Sequence, residues 1–469
     1  SYCSIFPRRH QLKRDELVNL WVAEGFISTT DTGEEEAAAQ QYFGELVSSS
    51  FLNKHMGEYS SEKNVYFTVH DLLHDLAEKV AGSDCFRIQQ DWAGVFPRNF
   101  RHLFIEAYDE TIITERILEM ENLRTLVIHC ISRDMMDHET VYESIFMKLR
   151  KLRVLKVQSD ALWRQYTGFS VLSLPASIKK LKHLRYFGYQ SGYVYKLVLP
   201  STISTLHHFQ VLDFGNCMEL VFSSEEDLSK LNSLRHVIVS PLFPLSIRHL
   251  GRLTSLQTMP PIKVERGEGY ELQQLRRLNK LRGRLEIQGL ENVESKEAAA
   301  EANLGAKECL QQLVLVWEDD NESCSPDVQE EVLEGLCPPM ELESLEIKGY
   351  QGSRYPSWLV VQQNCGPNYL HELHLSGCSR MGSIPALTHL CSLTIFNCSW
   401  DSLPDDMECL TSIKNLTLSH CYNILLLPAL PKSLELLRVD GCSTELTSSC
   451  RTTGHPNWHK IKHIPRKYM

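Results

Sequence analysis

Along most of the chain, apolar residues fall into one short pattern. From Leu123 to the C-terminus a unit L-x-x-L-x-L, where L stands for any aliphatic or aromatic residue, recurs at starts about 20 to 32 residues apart. Clear copies are Leu123/Leu126/Ile128, Leu152/Leu155/Val157, Leu184/Phe187/Tyr189, Phe209/Leu212/Phe214 and Leu234/Val237/Val239. Others are Leu310/Leu313/Leu315, Leu342/Leu345/Ile347, Leu370/Leu373/Leu375, Leu390/Leu393/Ile395, Ile413/Leu416/Leu418 and Leu434/Leu437/Val439, with weaker copies near Leu256/Met259 and Leu285/Ile287. In an extended strand the two apolar residues of L-x-L point to one face and the middle residue to the other. A single unit cannot bury its apolar face, so successive units stack their strands into a parallel sheet over a shared core. The period brackets that of leucine-rich repeats, ~20–29 residues, and its scatter predicts an irregular, curved α/β solenoid.

The connections carry their own signals. Cys217, Cys378, Cys398, Cys421 and Cys442 stand where strands turn away, and are expected in a buried row in which a small polar group bonds turn backbone. Leu174-Pro-Ala-Ser-Ile and Leu199-Pro-Ser-Thr-Ile each predict a short helix or turn whose Ile and following Leu face inward. An Ala- and Glu-rich stretch, 297–307, predicts a helix, and 321–327 a loop.

Residues before Leu123 lack the repeat. Residues 12–26 predict an amphipathic helix with Leu17, Leu20, Trp21 and Phe26 on one face, ended by Gly25. Residues 33–52 predict a second, with Tyr42, Phe43, Leu46 and Val47 inward. Two β-prone segments, 51–55 and 65–69, flank a polar loop, and a helix resumes at His70. Helices followed by a hairpin make a winged helix. The division expected is a winged-helix module at 1–95, a linker and capping segment at 96–122, and repeats over 123–469.

Composition narrows the function. A net charge of −11 and the acidic run Glu34-Glu35-Glu36 argue against nucleic acid as a partner. No apolar run approaches the ~20 residues that span a bilayer, and no signal peptide is legible. Fifteen cysteines without a C-x-x-C pair fit reduced thiols in a cytosolic or nuclear setting, and a cytoplasmic location is expected. His70-Asp-Leu-Leu-His74 mimics a zinc motif, but Asp is one methylene short of the Glu that serves as base. Asn321, Asn397 and Asn415 open glycosylation triplets expected to go unused. Charge is segregated: 144–199 holds 11 Lys/Arg against Asp160 alone, and 289–346 holds 16 Asp/Glu against two Lys.

Several stretches resemble the plant intracellular nucleotide-binding leucine-rich-repeat (NLR) immune receptors of the coiled-coil type. They are Ser1–Pro7 (SYCSIFP), Leu17–Ile27 (LVNLWVAEGFI), Val69–Ala77 (VHDLLHDLA), the RGRLEIQGLENV segment with its Ala-rich sequel, and His455–Pro465 (HPNWHKIKHIP). The resemblance implies that Val69-His70-Asp71 matches the family's Met-His-Asp, so that His70 reaches a phosphate of ADP and Asp71 orients it or holds a domain interface. It also implies ADP or ATP as ligand of the intact protein. No G-x-x-x-x-G-K-[ST] occurs, so this stretch alone is expected to bind no nucleotide.

Not an enzyme but a recognition and autoinhibitory segment is therefore expected. Middle-of-strand residues should line a concave binding face: Arg153, Lys156, Arg185, Tyr186, Asp213, His236, Glu346, His374, Phe396, Lys414, Thr417 and Arg438. Expected partners are a pathogen effector or guarded host protein, and an upstream nucleotide-binding (NB-ARC) domain in cis that the basic stretch contacts, with oligomerisation of the intact protein on activation. A leucine-rich-repeat adaptor and a cell-surface receptor ectodomain are the alternatives.

Overall fold

The computed structural model describes residues 2–27, 29, 34–56, 65–89, 94, 97, 99–106, 115–130, 139–159, 170–190, 194–215, 219–224, 228–239, 244–318, 324–360, 366–379, 381 and 387–469. The chain forms two compact units, Ser1–Phe243 and Pro244–Met469.

The first unit opens with the winged helix. Helix α1 (Arg14–Glu24) buries Leu17, Leu20 and Trp21, and Gly25 stops it at φ 78°, a conformation cheap only for glycine. Helix α2 (Glu35–Ser48) buries Phe43, but Tyr42 faces solvent, contrary to expectation. Phe26 also departs: lying past Gly25, it leaves the α1 face and sets its ring edge-on to Tyr2. Strands β1 (Leu52–Met56) and β2 (Val65–Val69) form the antiparallel hairpin, and Leu12 adds a bridge to Phe67. Helix α3 (Asp71–Ala81) follows. The loop at 57–64 lies outside the described residues.

The parallel sheet starts earlier than the repeat pattern indicated. Its seven strands run in chain order: Cys85–Ile88, His102–Ile105, Thr125–Cys130, Val154–Ser159, Tyr186–Gln190, Val211–Phe214 and His236–Val239. Within 96–122, expected as a linker and capping segment, the strand His102–Ile105 is part of this sheet. Phe100/Leu103/Ile105 is a further repeat copy with the same spacing, and all three are buried. Register stacks like on like: Leu103, Leu126, Leu155, Phe187, Leu212 and Val237 form one continuous row. Three repeats add a second strand each (Ser170–Ser173, Val194–Leu199, Glu219–Phe222) in a separate small sheet. The Pro-led segments form 3-10 turns at Ala176–Lys180 and Ser201–Thr205, with Ile178, Leu181, Ile203 and Leu206 buried as expected.

The second unit is a nine-stranded parallel sheet, again in chain order. Leu313, Leu345, Leu373, Leu393, Leu416 and Leu437 align, as do Leu315, Ile347, Leu375, Ile395, Leu418 and Val439. The helix expected over 297–307 covers only Lys296–Ala300, because Asn303 turns at φ 49° and Leu304–Ala306 tightens to 3-10. A second helix, Pro326–Gly335, begins inside the segment expected as a loop; Ser325 caps it and Pro326 takes its first turn. Asn457, wholly buried within the HPNW segment, accepts from Leu427 N at 2.9 Å and donates to Leu425 O at 2.8 Å, clipping an irregular stretch to the last repeats.

Candidate functional site

Two surfaces bring the predicted site residues together, one in each unit. In the first, the strand face expected to be open is covered by the winged helix. Phe104, Val127, Val154, Tyr186 and Val211 project from successive strands into one core with Tyr2, Ile5, Phe6 and the apolar side of α1. Charged contacts border that core. Lys156, 1% exposed at its side chain, forms an ion pair with Glu16 of α1. Arg153 donates to the Glu24 carbonyl at the end of α1. Arg235 reaches both Glu36 (2.7 Å) and Glu35 (3.1 Å) at the start of α2, and His236 Nε2 lies 3.7 Å from Glu36.

A polar cluster is sealed inside this seam. Thr125 Oγ1 donates to the buried Glu24 carboxylate, and His102 Nδ1 and Tyr2 Oη lie 3.0 and 3.3 Å from the same hydroxyl. Burial pushes the Tyr2 phenol well above its ordinary range, with the Glu24 charge adding to the shift. Tyr186 Oη donates to Asp213 at 2.6 Å, and Gln190 supplies a second donor at 3.0 Å. Six of the expected face residues are thus placed here: Arg153, Lys156, Arg185, Tyr186, Asp213 and His236. Lys156, Tyr186, Asp213 and His236 are buried, and Arg153 and Arg185 are half-buried. They do not form an open wall, because α1 and α2 occupy it. A sequence signal existed: Phe104, Val127, Val154 and Val211 are apolar at positions where a water-facing wall carries polar residues.

His70 caps α3. Its Nδ1 accepts from Leu72 N at 3.3 Å, and its backbone N–H bonds Phe51 O at 3.0 Å. With Nδ1 as acceptor, Nε2 carries the proton in the neutral ring. Val69 is buried beneath it, and Asp71 sits 3.4 Å from Arg9. His74 points the other way, into the core, with Nε2 2.9 Å from Phe6 O. The two histidines therefore do not converge. His74, Asp75 and Glu78 gather potential metal-ligand atoms, but Arg8 already pairs with Asp75, and Arg87 with Glu78.

In the second unit the middle-of-strand row reads Glu346, His374, Thr394, Thr417 and Arg438, all half-buried or exposed. Phe396, 43% exposed, lies one row over, with the His420 ring edge-on at 5.3 Å and Tyr422 beyond it. Arg438 stacks its guanidinium 5.3 Å from the Tyr468 ring centre, and Lys414 is exposed on the Glu435 side. His420, Tyr422 and Tyr468 were not among the sequence-predicted residues. Where each strand turns away, a left-handed residue stands: Gly349, Gly377, Asn397, His420 and Gly441, at φ 48–70°. Directly after four of these come Cys378, Cys398, Cys421 and Cys442, whose thiols donate to carbonyls of the preceding strand, at Ile347, Leu375, Ile395 and Leu418. Cys378, Cys398 and Cys421 are buried, as expected of the row, whereas Cys442 is half-buried, and all four are free thiols; Cys217 lies outside the described residues.

Among the described residues no helix is long and apolar enough to cross a membrane. Residues 5–77 match the disease resistance protein winged helix domain, and residues 272–400 match the R13L1/DRL21 leucine-rich repeats. The chain is 31% identical over 402 residues, 83% of its length, to disease resistance protein At3g14460 of Arabidopsis thaliana. It is 29% identical over 406 residues, again 83% of its length, to disease resistance RPP13-like protein 1 of the same plant. Disease resistance protein RGA2 of Solanum bulbocastanum matches at 30% over 362 residues, 76% of the chain. The chain spans 27%, 36% and 33% of these three relatives respectively.

Proposed function

The chain belongs to the plant disease-resistance proteins that join a winged helix to leucine-rich repeats, and from that premise we propose that it is the regulatory and recognition segment of a cytoplasmic immune receptor. The observation that carries the reading is the seam of the first unit, where Lys156, Arg153 and Arg235 of the repeats hold both helices of the winged helix by their acidic and carbonyl groups. Held there, the winged helix keeps the orientation in which His70 faces the nucleotide of the intact protein. Bound ADP would supply phosphate oxygens there, and the Nε2–H of His70 is a donor of the right kind, beside the positive end of the α3 N-terminus. Nδ1 is taken by the cap, so capping and phosphate contact use different ring atoms.

A pathogen effector or guarded host protein would engage the second unit through Glu346, His374, Phe396, Lys414, Thr417 and Arg438. Aromatic and Arg side chains dominate affinity at protein interfaces, which favours Phe396 and Arg438. Binding energy shifts the switch only as far as the partner prefers the open state over the closed one. Oligomerisation of the open receptor follows in the intact protein. The test is charge reversal in the receptor carrying this chain: Lys156→Glu signals without a pathogen, and adding Glu16→Lys restores silence. A Lys156→Glu receptor that stays silent and folded overturns the reading.

A further inference from the structure

The turns that follow two late strands of the second unit place a pair of thiols side by side. Ser419 pairs with Asp440 in the parallel register, and His420 N bonds Asp440 O at 2.9 Å, so the pairing runs on into the turns. Cys421 and Cys442 stand two residues beyond that pair, about one strand spacing apart, ~4.7–4.9 Å. That lies inside the ~4.4–6.8 Å between Cα atoms that a disulfide spans. Both are free. Their exposure differs: Cys421 is fully buried, whereas Cys442 is half-buried and open to a small solute. Cys378 and Cys398 make a similar contact two repeats earlier, with Cys378 N 3.4 Å from the Cys398 sulfur, but both are sealed in the core.

We propose that Cys442 and Cys421 are a peroxide-oxidised pair, with Cys442 the thiol that attacks the oxidant and Cys421 the one that resolves it. The Cys442 thiolate attacks one oxygen of hydrogen peroxide; the O–O bond breaks, hydroxide leaves, and the sulfur becomes a sulfenic acid. The Cys421 sulfur then attacks the Cys442 sulfur, gives up its proton and displaces the sulfenic oxygen as water. Two thiols and one peroxide thus yield one disulfide and two waters. Hydrogen bonds from the Cys421 thiol and backbone N–H favour Cys442 as the attacking sulfur. They pull its thiol down to about 7, against burial and the Asp440 charge. While Cys442 is neutral the Cys421 proton goes to Ile395 O, at 3.6 Å. The thiolate is the nucleophile, and one formed near neutral pH gains more in population than it loses in intrinsic nucleophilicity. The same hydrogen bond, with burial, pushes the Cys421 thiol up. Once Cys442 is oxidised its negative charge is gone, and with it the main hold on the Cys421 proton. Access completes the choice, because the Cys398 thiol, lowered by its Cys378 hydrogen bond, is buried. The disulfide fastens the Asn415–Ser419 strand to Leu436–Asp440 whatever the face beside it recognises.

Peptide mapping tests the pair on the reduced 1–469 chain, treated near neutral pH with equimolar hydrogen peroxide and then alkylated. The Cys421–Cys442 link is expected to form first, with Cys378 and Cys398 left reduced. Cys442 should be consumed at least about three-fold faster than the exposed Cys309 and Cys409. Fragmentation separates Cys442 from Cys450 in their shared tryptic peptide, 439–451. Cys421→Ser keeps a donor to the Cys442 sulfur but cannot link to it, so Cys442 should react as fast and stop at a sulfenic acid that dimedone captures. Cys442→Ser should leave Cys421 reduced. Alkylation of Cys442 by iodoacetamide should rise with pH around a midpoint of about 7. Cys442 reacting no faster than Cys309 and Cys409 overturns the proposal, as does sulfenic acid that persists in the wild-type chain without linking to Cys421. Those wild-type kinetics decide the matter even where a serine variant fails to fold.

Discussion

Lys156 and Glu16 stand 140 residues apart in the chain and form an ion pair whose side chains are 1% and 11% exposed. A lysine so enclosed cannot be read as a surface charge. It is the point where a repeat strand grips the first helix of the winged helix, and its surroundings are the shared core of Phe104, Val127, Val154 and Tyr186. Removing one partner of a buried pair leaves the other charge stranded, at a cost of about 3–5 kcal/mol, whereas replacing both by apolar groups is near neutral. Lys156→Met is therefore expected to lower the unfolding free energy of the first unit by about 3 kcal/mol, and Lys156→Met with Glu16→Met to recover most of it. Urea titration of the two variants checks this, and equal losses in both would remove the ion pair from the account.

The second unit makes a different demand at His420. Its φ of 54° costs a bulky residue about 1–2 kcal/mol, and glycine or asparagine takes the equivalent place in the other repeats. A Cβ on Gly441 would come within 2.6 Å of the His420 ring. Gly441→Ala is expected to cost about 2 kcal/mol, part from that clash and part from its own φ of 59°. Adding His420→Gly removes the clash and leaves the backbone strain, so the double variant should regain about half. Strict additivity of the two changes in thermal melts would show that ring and backbone do not meet.

Lys307 offers a test by pH. It is fully buried, donates to Leu275 O at 2.9 Å and Asn303 O at 3.3 Å, and burial lowers it from 10.5 to about 8. Between those values the unfolded chain holds more protons than the folded one, so this lysine's contribution to stability rises with pH from about 8 to about 10.5 and is flat below 8. Relative to a Lys307→Met variant, the wild-type chain should gain roughly 2–3 kcal/mol over that window. A constant difference from pH 7 to 10 would place the ammonium in water instead.

Recognition should be separable from folding on the exposed row. Phe396→Ala and Arg438→Ala are expected to abolish the pathogen-dependent response in leaf tissue while melting within about 0.5 kcal/mol of the parent, as exposed substitutions do. A full response from the double variant would remove this row from the recognition surface.

How much of this was legible in the sequence follows from what each signal encodes. The L-x-x-L-x-L spacing reports only the inward face of a strand, and that face came out register-perfect from Leu313 to Leu437. What covers the other face depends on contacts a hundred or more residues away, so Lys156 read as a charge for a partner when its partner is Glu16. The apolar Val127 and Val154 carried the missing information, because a strand apolar on both sides is buried on both sides. Phe100/Leu103/Ile105 fits the same spacing, so the earlier start of the array was legible, and the helix at Pro326 was announced by Ser325 and Pro326, standard opening residues that a loop-like composition masked. For the winged helix the order of elements was readable, while the exposure of Phe26 depended on where α1 ends and that of Tyr42 on which side of α2 faces the core.

Native-state hydrogen exchange on the 1–469 chain bears most directly on the seam. If the winged helix and the strands beneath it are one cooperative body, the amides of Leu17–Val22 in α1 and those of Val154–Ser159 exchange with the same opening free energy, and Lys156→Met lowers both equally. If α1 exchanges at a markedly lower free energy than the strand, and Lys156→Met moves only one of them, the winged helix is a loosely held neighbour and the clamp described above does not exist.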